Sequence, residues 1–388
     1  MGDRILDVVI FGATGFTGGL VAEYFARHAP DGTRWALAGR DRGKLSALRE
    51  RLGGERCPPR DDIFADVSDS GSLVRMARAA RVVLSTVGPY ALFGRPVVEA
   101  AIEGGADYVD ITGEPAFVHE VIARCDARAR ERGVRIVNCC GFDSIPHDLG
   151  AHFTALQLPH DVPMSIEAYV RSHARMSGGT WHSAIHAMAG LRRARNPKGV
   201  RRTSSEGRRV RGLPQRIHYS KDIEAWAVPL PTIDPEVVLR SARELDVFGP
   251  DFRYGHYARM KAMRSVALGV AGVGAVALLA QTKPTRALLE KIRVQGEGPS
   301  AEQRKKSWFE VTFVGKTDHH RVITTVSGGD PGYDETSKMI SESALCLVHD
   351  RDALPARAGV LTTAVAMGTH LRKRLERAGI RFVVKEQS

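Results

Sequence analysis

Gly12-Ala13-Thr14-Gly15-Phe16-Thr17-Gly18 is the stretch from which the rest of this 388-residue chain is read. An apolar, β-branched run from Ile5 to Phe11 leads into it, and Leu20, Val21, Tyr24 and Phe25 follow at helical spacing. Strand, glycine turn and helix thus succeed one another at the start of a domain. A tight turn needs residues without a Cβ, and so does close approach of backbone to a pyrophosphate. The free N–H groups and positive end of the helix then hold the phosphates. The spacing G-x-x-G-x-x-G is one residue longer than the common fingerprint G-x-G-x-x-G. Its place between a strand and a helix, more than the glycines themselves, points to a dinucleotide.

Outward from the turn, the rhythm of strand and helix continues. Arg34 to Ala38 reads as a second strand ending in Ala38-Gly39-Arg40. In NAD-binding domains this strand ends in Asp or Glu, which accepts from the ribose 2′-hydroxyl. Arg40 stands there instead, with Lys44 one turn into the next helix, and a guanidinium favours a 2′-phosphate. The cofactor is therefore read as NADPH, and Asp41 as a helix cap. Ile63 to Asp66 is a third strand, placing Asp66 beside the adenine. Arg81 to Thr86 is a fourth, ending in Val87-Gly88-Pro89-Tyr90, with a helix expected from Pro96 to Gly104. Asp107 to Ile111 and Val134 to Asn138 are a fifth and a sixth, with a helix opening at Pro115 between them. Strands alternating with helices predict an α/β fold with a Rossmann-type, doubly wound parallel sheet over residues 1–148. The polar and glycine-rich strand ends then converge on one crevice.

Composition bounds the function. The chain is 43% hydrophobic and 26% charged, with a net charge of +12, a globular balance that favours an acidic partner. Its five cysteines make no framework, which predicts a reduced, cytoplasmic protein. No Cys/His cluster has metal-ligand spacing, so no metal is expected. The N-terminal apolar run is the first strand of a fold and not a signal peptide.

From about Pro159 the pattern changes, and residues 149–328 are expected to form a substrate domain. Met164 to Val170 is strand-like, and Ser177-Gly178-Gly179-Thr180 precedes a helix through Leu191. A loop over 192–216 is dense in arginine, with Glu206 as the only acid from Arg192 to Arg211. It reads as a solvated surface or as a docking site for an acidic partner. Nucleic acid is not expected, because no aromatic residues interleave the basic ones. Ser265 to Thr282 carries no charge and is flanked by Lys261, Arg264, Lys283 and Arg286. Three readings stand: a buried or channel-lining helix, a membrane-surface segment, or a span. Trp308 to Val314 and His320 to Ser327 form an expected antiparallel hairpin, and Glu335 to Val348 a helix within a C-terminal segment, 329–388, that returns to the first domain.

Read end to end, the chain resembles the saccharopine dehydrogenase-like oxidoreductases, most closely the trans-acting enoyl reductase branch of mycobacteria. The blocks carrying the resemblance are GATGFTG at Gly12, AGR at Ala38, VGPY at Val87, DITGE at Asp110, GFDSIPHDLG at Gly141, SGGT at Ser177, GEGPSAEQR at Gly296, GGDPGYDET at Gly328 and GVLTTAVAMG at Gly359. The last block departs from the family's LTPA, with Thr363 in place of proline. The resemblance implies NADP(H) at the glycine turn, a middle α+β domain with an open antiparallel sheet, and a C-terminal segment packing back on the Rossmann domain. For the closest branch it implies reduction of a carbon–carbon double bond in an acyl chain carried by a polyketide synthase, toward phthiocerol-type lipids.

Enoyl reduction needs a hydride at the β-carbon, stabilisation of the developing enolate oxygen and a proton at the α-carbon. The cofactor is expected against Gly12 to Gly18, Arg40, Lys44, Asp66, Thr86, Val87, Gly88, Pro89, Gly141 and Phe142. Tyr90, Asp143 and Ser144 are the candidate catalytic groups, each with a structural alternative as a cap or a satisfied hydrogen bond. His147, Thr180 and His182 follow. No Tyr-x-x-x-Lys pair follows the fourth strand, so short-chain dehydrogenase chemistry is not expected. An acidic carrier protein would explain the basic loop, and a greasy substrate or peripheral contact at the inner face of the plasma membrane would explain the apolar segment. A homodimer is compatible with the sequence. Two other functions stay open: a saccharopine-type reductase of a C–N bond, and a non-catalytic NADP(H)-binding protein on lipid surfaces.

Overall fold

The computed structural model describes residues 4–174, 208–263, 266, 272, 274–276, 278–291 and 298–388. The chain divides into two units, residues 1–145 with 333–380 and residues 146–332 with 381–388.

The first unit grows from β1 (Leu6–Phe11), all six residues of which are buried. A parallel strand covered on both faces needs such an unbroken apolar run. Around it stand β2 (Trp35–Gly39), β3 (Asp61–Phe64), β4 (Ala80–Ser85), β5 (Asp107–Asp110) and β6 (Arg135–Val137). The helices between them are α1 (Phe16–His28), α2 (Arg42–Leu52), α3 (Ser70–Ala79), α4 (Tyr90–Gly104) and α5 (Pro115–Arg132). A seventh strand, Gly359–Leu361, comes from the far end of the chain and pairs in parallel with β6. The sheet runs Gly359–Leu361, β6, β5, β4, β1, β2, β3. The chain winds outward from β1 to β3, then crosses to β4 and winds the other way. The crevice between β1 and β4 is the switch point where such sheets bind ligands.

Two elements differ from expectation. Helix α4 begins at Tyr90, with Pro96 inside it. The Glu114 carboxylate accepts from the N–H groups of Tyr90 at 3.0 Å and Ala91 at 2.9 Å, starting the helix before the proline. The expected return of 329–388 also divides. The helix Asp334–His349 packs on α1, β4 and β5 within the first unit. Arg381–Gln387 instead pairs antiparallel with a strand of the second. Thr363 takes the first position of a short helix, Thr363–Ala366, and Thr362 accepts from Val365 N. Proline at that position would lack an N–H that has no partner in the helix, so its loss there costs little.

The second unit is built on an eight-stranded sheet. Its strands are β7 (Met164–His173), β8 (Arg209–Gly212), β9 (His218–Ser220), β10 (Ala225–Pro229), β11 (Asp251–Met260), β12 (Trp308–Lys316) and β13 (Arg321–Gly328), with Arg381–Gln387 beyond β13. The order is Arg381–Gln387, β13, β12, β7, β11, β10, β9, with β8 also on β11. The sheet is mixed, not purely antiparallel: β11 lies parallel to both β7 and β8. Parallel pairing needs a crossover, and α7 (Asp234–Glu244) lies in the one that precedes β11. Helix α6 (Ile145–Ala155) lies on the β12–β13 hairpin through Gly150, where a Cβ would stand 2.3 Å from the Phe313 ring.

Most of the basic loop, including Arg192 to Arg202, lies outside the described residues. Its described end is engaged: Arg208 donates to the carbonyls of Arg243 and Leu245 at the end of α7, and Arg211 grips Asp251 at 2.7 and 3.0 Å. Of the apolar stretch 265–282, Val266 and Ala280 are buried while Leu278 and Leu279 are exposed. Among the described residues no helix is long and apolar enough to cross a membrane; residues 265, 267–271, 273 and 277 of the apolar stretch lie outside the described residues.

Candidate active site

The glycine turn is built from backbone contacts that leave no room for side chains. Gly12 adopts φ +88°, and a Cβ there would meet Val87 at 2.7 Å and Thr86 Oγ1 at 2.8 Å. At Gly18 a Cβ would stand 2.1 Å from the Gly12 carbonyl oxygen. Gly12 N donates to Ala38 O and Gly15 N to Gly12 O, closing the turn over the ends of β1 and β2. Ala13 is buried beneath it, whereas Thr14 and Gly15 are exposed and Phe16 and Thr17 half-buried. Gly15 is the N-cap of α1, and no side chain caps that end. An uncapped helix start behind an exposed glycine is a place for a phosphate. Phe16 is held from behind by Tyr333, whose ring meets it edge-on at 4.9 Å.

Beyond β2, Arg40 and Lys44 are both exposed. Asp41 caps α2, its carboxylate accepting from Lys44 N at 3.0 Å, as the sequence suggested. It is turned into the helix and does not offer itself to a ribose. Asp66 accepts from the hydroxyl and the N–H of Ser68, which hold its carboxyl below the ordinary range, with the nearby Arg40 charge adding to the effect. Arg42 lies over the Phe64 ring at 5.0 Å, a cation–π pair the sequence did not suggest.

At the end of β4, Thr86 donates to the carbonyls of Phe11 and Gly12, tying this strand end to the turn. Val87, Gly88 and Pro89 continue outward, Gly88 exposed and its neighbours half-buried. Tyr90 is turned inward. It is 6% exposed, its hydroxyl donates to Ser85 O at 3.0 Å, and burial pushes its phenol well above the ordinary range. That bond gives the phenol a structural partner, the cap-or-prop alternative the sequence offered. Ser144 is completely buried. Asp143 alone of the three catalytic candidates is exposed, its carboxylate beside the Gly113 backbone. Gly141 is buried and Phe142 half-buried, and Phe142 N donates to Thr336 Oγ1 at 3.1 Å. Thr180 and His182 lie outside the described residues. His147 is buried within the second unit, against Asp234.

A buried network beneath these loops went unread in the sequence. Asp110 accepts from Thr112 N, Asn138 Nδ2 at 2.7 Å and Cys139 N at 3.0 Å. It thereby sets the chain that leaves β6 and lets Cys139 take φ +64° before Gly141. Burial pushes its carboxyl up to about 6, against those three donors. The only signal for it was the block Asp110-Ile111-Thr112-Gly113-Glu114, now seen to anchor one loop with its first residue and cap α4 with its last.

The residues present fit NADPH: a Cβ-free cradle, an uncapped helix start and a cationic end to β2, where the carboxylate of Asp41 is engaged by Lys44 N. When bound, the nucleotide supplies a hydride. The chain's part is to hold it at the switch point and to order the strand-end loops around it. Fold and site together define an NADP-binding oxidoreductase of the Rossmann type.

Comparison with known proteins narrows the class. The family described as the saccharopine dehydrogenase NADP binding domain matches residues 8–137. A protein of Mycobacterium tuberculosis, provisionally named a trans-acting enoyl reductase, is 34% identical over 97% of both chains. The human saccharopine dehydrogenase-like oxidoreductase is 32% identical over 99% of this chain and 98% of its own, and a lipid droplet localized protein of Caenorhabditis elegans is 34% identical over 93% and 94%. Saccharopine dehydrogenase (L-Glu forming) of Saccharomyces cerevisiae shares the fold, with a TM-score of 0.56 at 13% identity, covering 98% of this chain and 99% of that one. The chain belongs to the saccharopine dehydrogenase-like oxidoreductase family, and its cofactor is NADPH.

Proposed function

We propose that this oxidoreductase reduces a carbon–carbon double bond in a long acyl chain. The observation that carries the reading is the apolar first turn of α4, directly beyond the strand end at Thr86–Pro89. There Leu92 is 70% exposed and Phe93 36% exposed. A substrate bearing several carboxylates, as in saccharopine-type chemistry, calls for arginine or lysine at such a rim. Leucine and phenylalanine suit a hydrocarbon. The name of the mycobacterial relative agrees with this reading, while the saccharopine dehydrogenase-like relatives are as similar and keep C–N reduction as the alternative.

In enoyl reduction the β-carbon takes the hydride and the α-carbon a proton, while negative charge gathers on the thioester oxygen. Backbone N–H groups of the strand-end loops are suited to that oxygen. Among the described residues Asp143, beside Gly113 and raised from the ordinary carboxyl range by desolvation, is a side-chain candidate for moving the proton, with water as the alternative. The test supplies deuterated NADPH and a 2-enoyl thioester, with lysine plus a 2-oxo acid in a parallel reaction. Deuterium at the β-carbon of the saturated acyl product is expected. Label in a C–N product, with none in the acyl chain, would overturn the reading.

Two associations belong to the same proposal. An acidic carrier protein would deliver the acyl chain to the basic loop. Charge reversal there should slow carrier-bound substrates and spare free thioesters; equal loss on both counts against it. A lipid surface would meet Leu278, Leu279 and Leu288, which are 69%, 43% and 67% exposed. The name of the nematode relative supports that contact. Flotation with anionic liposomes that is unchanged by Leu278→Asp and Leu288→Asp would refute it.

A further inference from the structure

Within the second unit His147, Asp234 and His256, which are distant in sequence, come together. His147 lies in the first turn of α6, Asp234 is the first residue of α7, and His256 is mid-strand in β11. All three are buried, at 2%, 2% and 1% exposed. His147 Nε2 is 3.3 Å from Asp234 Oδ1, and His256 Nε2 is 3.7 Å from Asp234 Oδ2. The imidazole rings meet edge-on with centroids 4.6 Å apart. One ligand atom from each residue falls within 4.8 Å of the other two.

We propose that these three side chains bind a divalent metal ion, Zn²⁺ by the chemistry of the donors. Two imidazole nitrogens and one carboxylate oxygen are a zinc-type set. Zinc bonds of about 2.0–2.1 Å place neighbouring tetrahedral ligands roughly 3.3 Å apart. His147 faces Oδ1 and His256 faces Oδ2 of the same carboxylate, so one ion either takes both oxygens or draws one of them toward both imidazoles, closing the 4.8 Å set by about an ångström. Both His–Asp separations are longer than the common N–H···O distance of about 2.9–3.0 Å, so a shared ion suits the spacing better than direct bonds. The far nitrogen of His256 also faces a partner: Tyr254 Oη lies 3.5 Å from Nδ1, two residues back on the same face of β11. An outer partner on the second ring nitrogen orients a metal-binding histidine and sets its tautomer. A divalent ion held by these three side chains would pin α6, α7 and β11 at one point. Three protein ligands leave the fourth tetrahedral position to a water molecule.

The test uses the full chain with its affinity tag removed. Elemental analysis is expected to find one Zn²⁺ per chain, lost in Asp234→Asn and in His256→Ala. Far-ultraviolet circular dichroism and thermal unfolding of the full chain report whether each variant has folded. Wild type stripped with a chelator should gain on the order of 5 °C in Tm on adding Zn²⁺. Loaded with Co²⁺ it should show the visible absorption of a low-symmetry, nitrogen- and oxygen-bound ion. These wild-type measurements stand even if a variant fails to fold. Metal retained in both variants would place it elsewhere. A stripped wild type with unchanged Tm on adding Zn²⁺ and no cobalt spectrum would leave a hydrogen-bonded His–Asp–His cluster and overturn the proposal.

Discussion

Substituting alanine at Gly15 and at Gly18, three residues apart in one turn, should separate cofactor binding from stability. At Gly18 the new methyl would lie 2.1 Å from Gly12 O, 2.8 Å from Gly12 C and 2.9 Å from Ala13 Cα. These are backbone atoms and cannot rotate away, so α1 and the turn must separate by about an ångström, an overpacking cost of roughly 1–3 kcal/mol. At Gly15 the backbone is extended, φ −76° and ψ 166°, which any residue adopts. Its methyl would press on Gly12 O at 3.3 Å, which must give by a few tenths of an ångström, far less than at Gly18. Gly15→Ala should therefore leave stability within about 0.5 kcal/mol of wild type. The same methyl stands where a pyrophosphate would approach the helix start. Losing one charge-assisted bond from backbone to phosphate costs ~1.5–3 kcal/mol, or about 10- to 150-fold in Kd. Calorimetric titration with NADPH and thermal unfolding without it separate the two effects. Gly15→Ala should bind weakly at an unchanged Tm, and Gly18→Ala should lose both. A Gly15→Ala protein that binds NADPH as wild type does would show that the phosphates lie elsewhere.

Three further outcomes follow from particular residues. Arg40→Asp should weaken NADPH by roughly 10- to 100-fold and improve NADH, read from the Kd ratio; an unchanged ratio removes Arg40 from 2′-phosphate recognition. Tyr90→Phe should cost about 1 kcal/mol of stability, through the lost bond to Ser85 O, with kcat unchanged; a folded variant with kcat down a hundredfold would restore Tyr90 as a proton donor. Asp110 titrates in the folded protein at about 6, above the ordinary carboxyl, because burial disfavours its charge. The folded state thus holds the extra proton between about pH 4 and 6, and the stability this lends is present at the acid end and lost as pH rises through 6. Wild type should gain on Asp110→Asn in urea titrations as pH falls from 7 to 5, and parallel profiles would refute the shift.

The local pattern determined the doubly wound sheet, because a buried parallel strand must be apolar throughout and each crossover helix must show a 3.6-residue stripe. It also pointed to the cofactor, since Gly12, Gly15, Gly18 and Arg40 lie within one strand–turn–helix–strand unit, where neighbours in sequence are neighbours in space. Asp41 as a cap was legible for the same reason. What only the tertiary structure decided depends on chain segments that meet from far apart. Tyr90 and Ser144 looked like catalytic side chains at strand ends, and packing turned them inward. Pro96 looked like a helix start until Glu114, from the next strand–helix junction, capped residues 90 and 91. Asp110 with Asn138, Gly359–Leu361 as a seventh strand, and His147 beside Asp234 and His256 leave no periodic trace, because sheet order and burial join residues that share no local pattern.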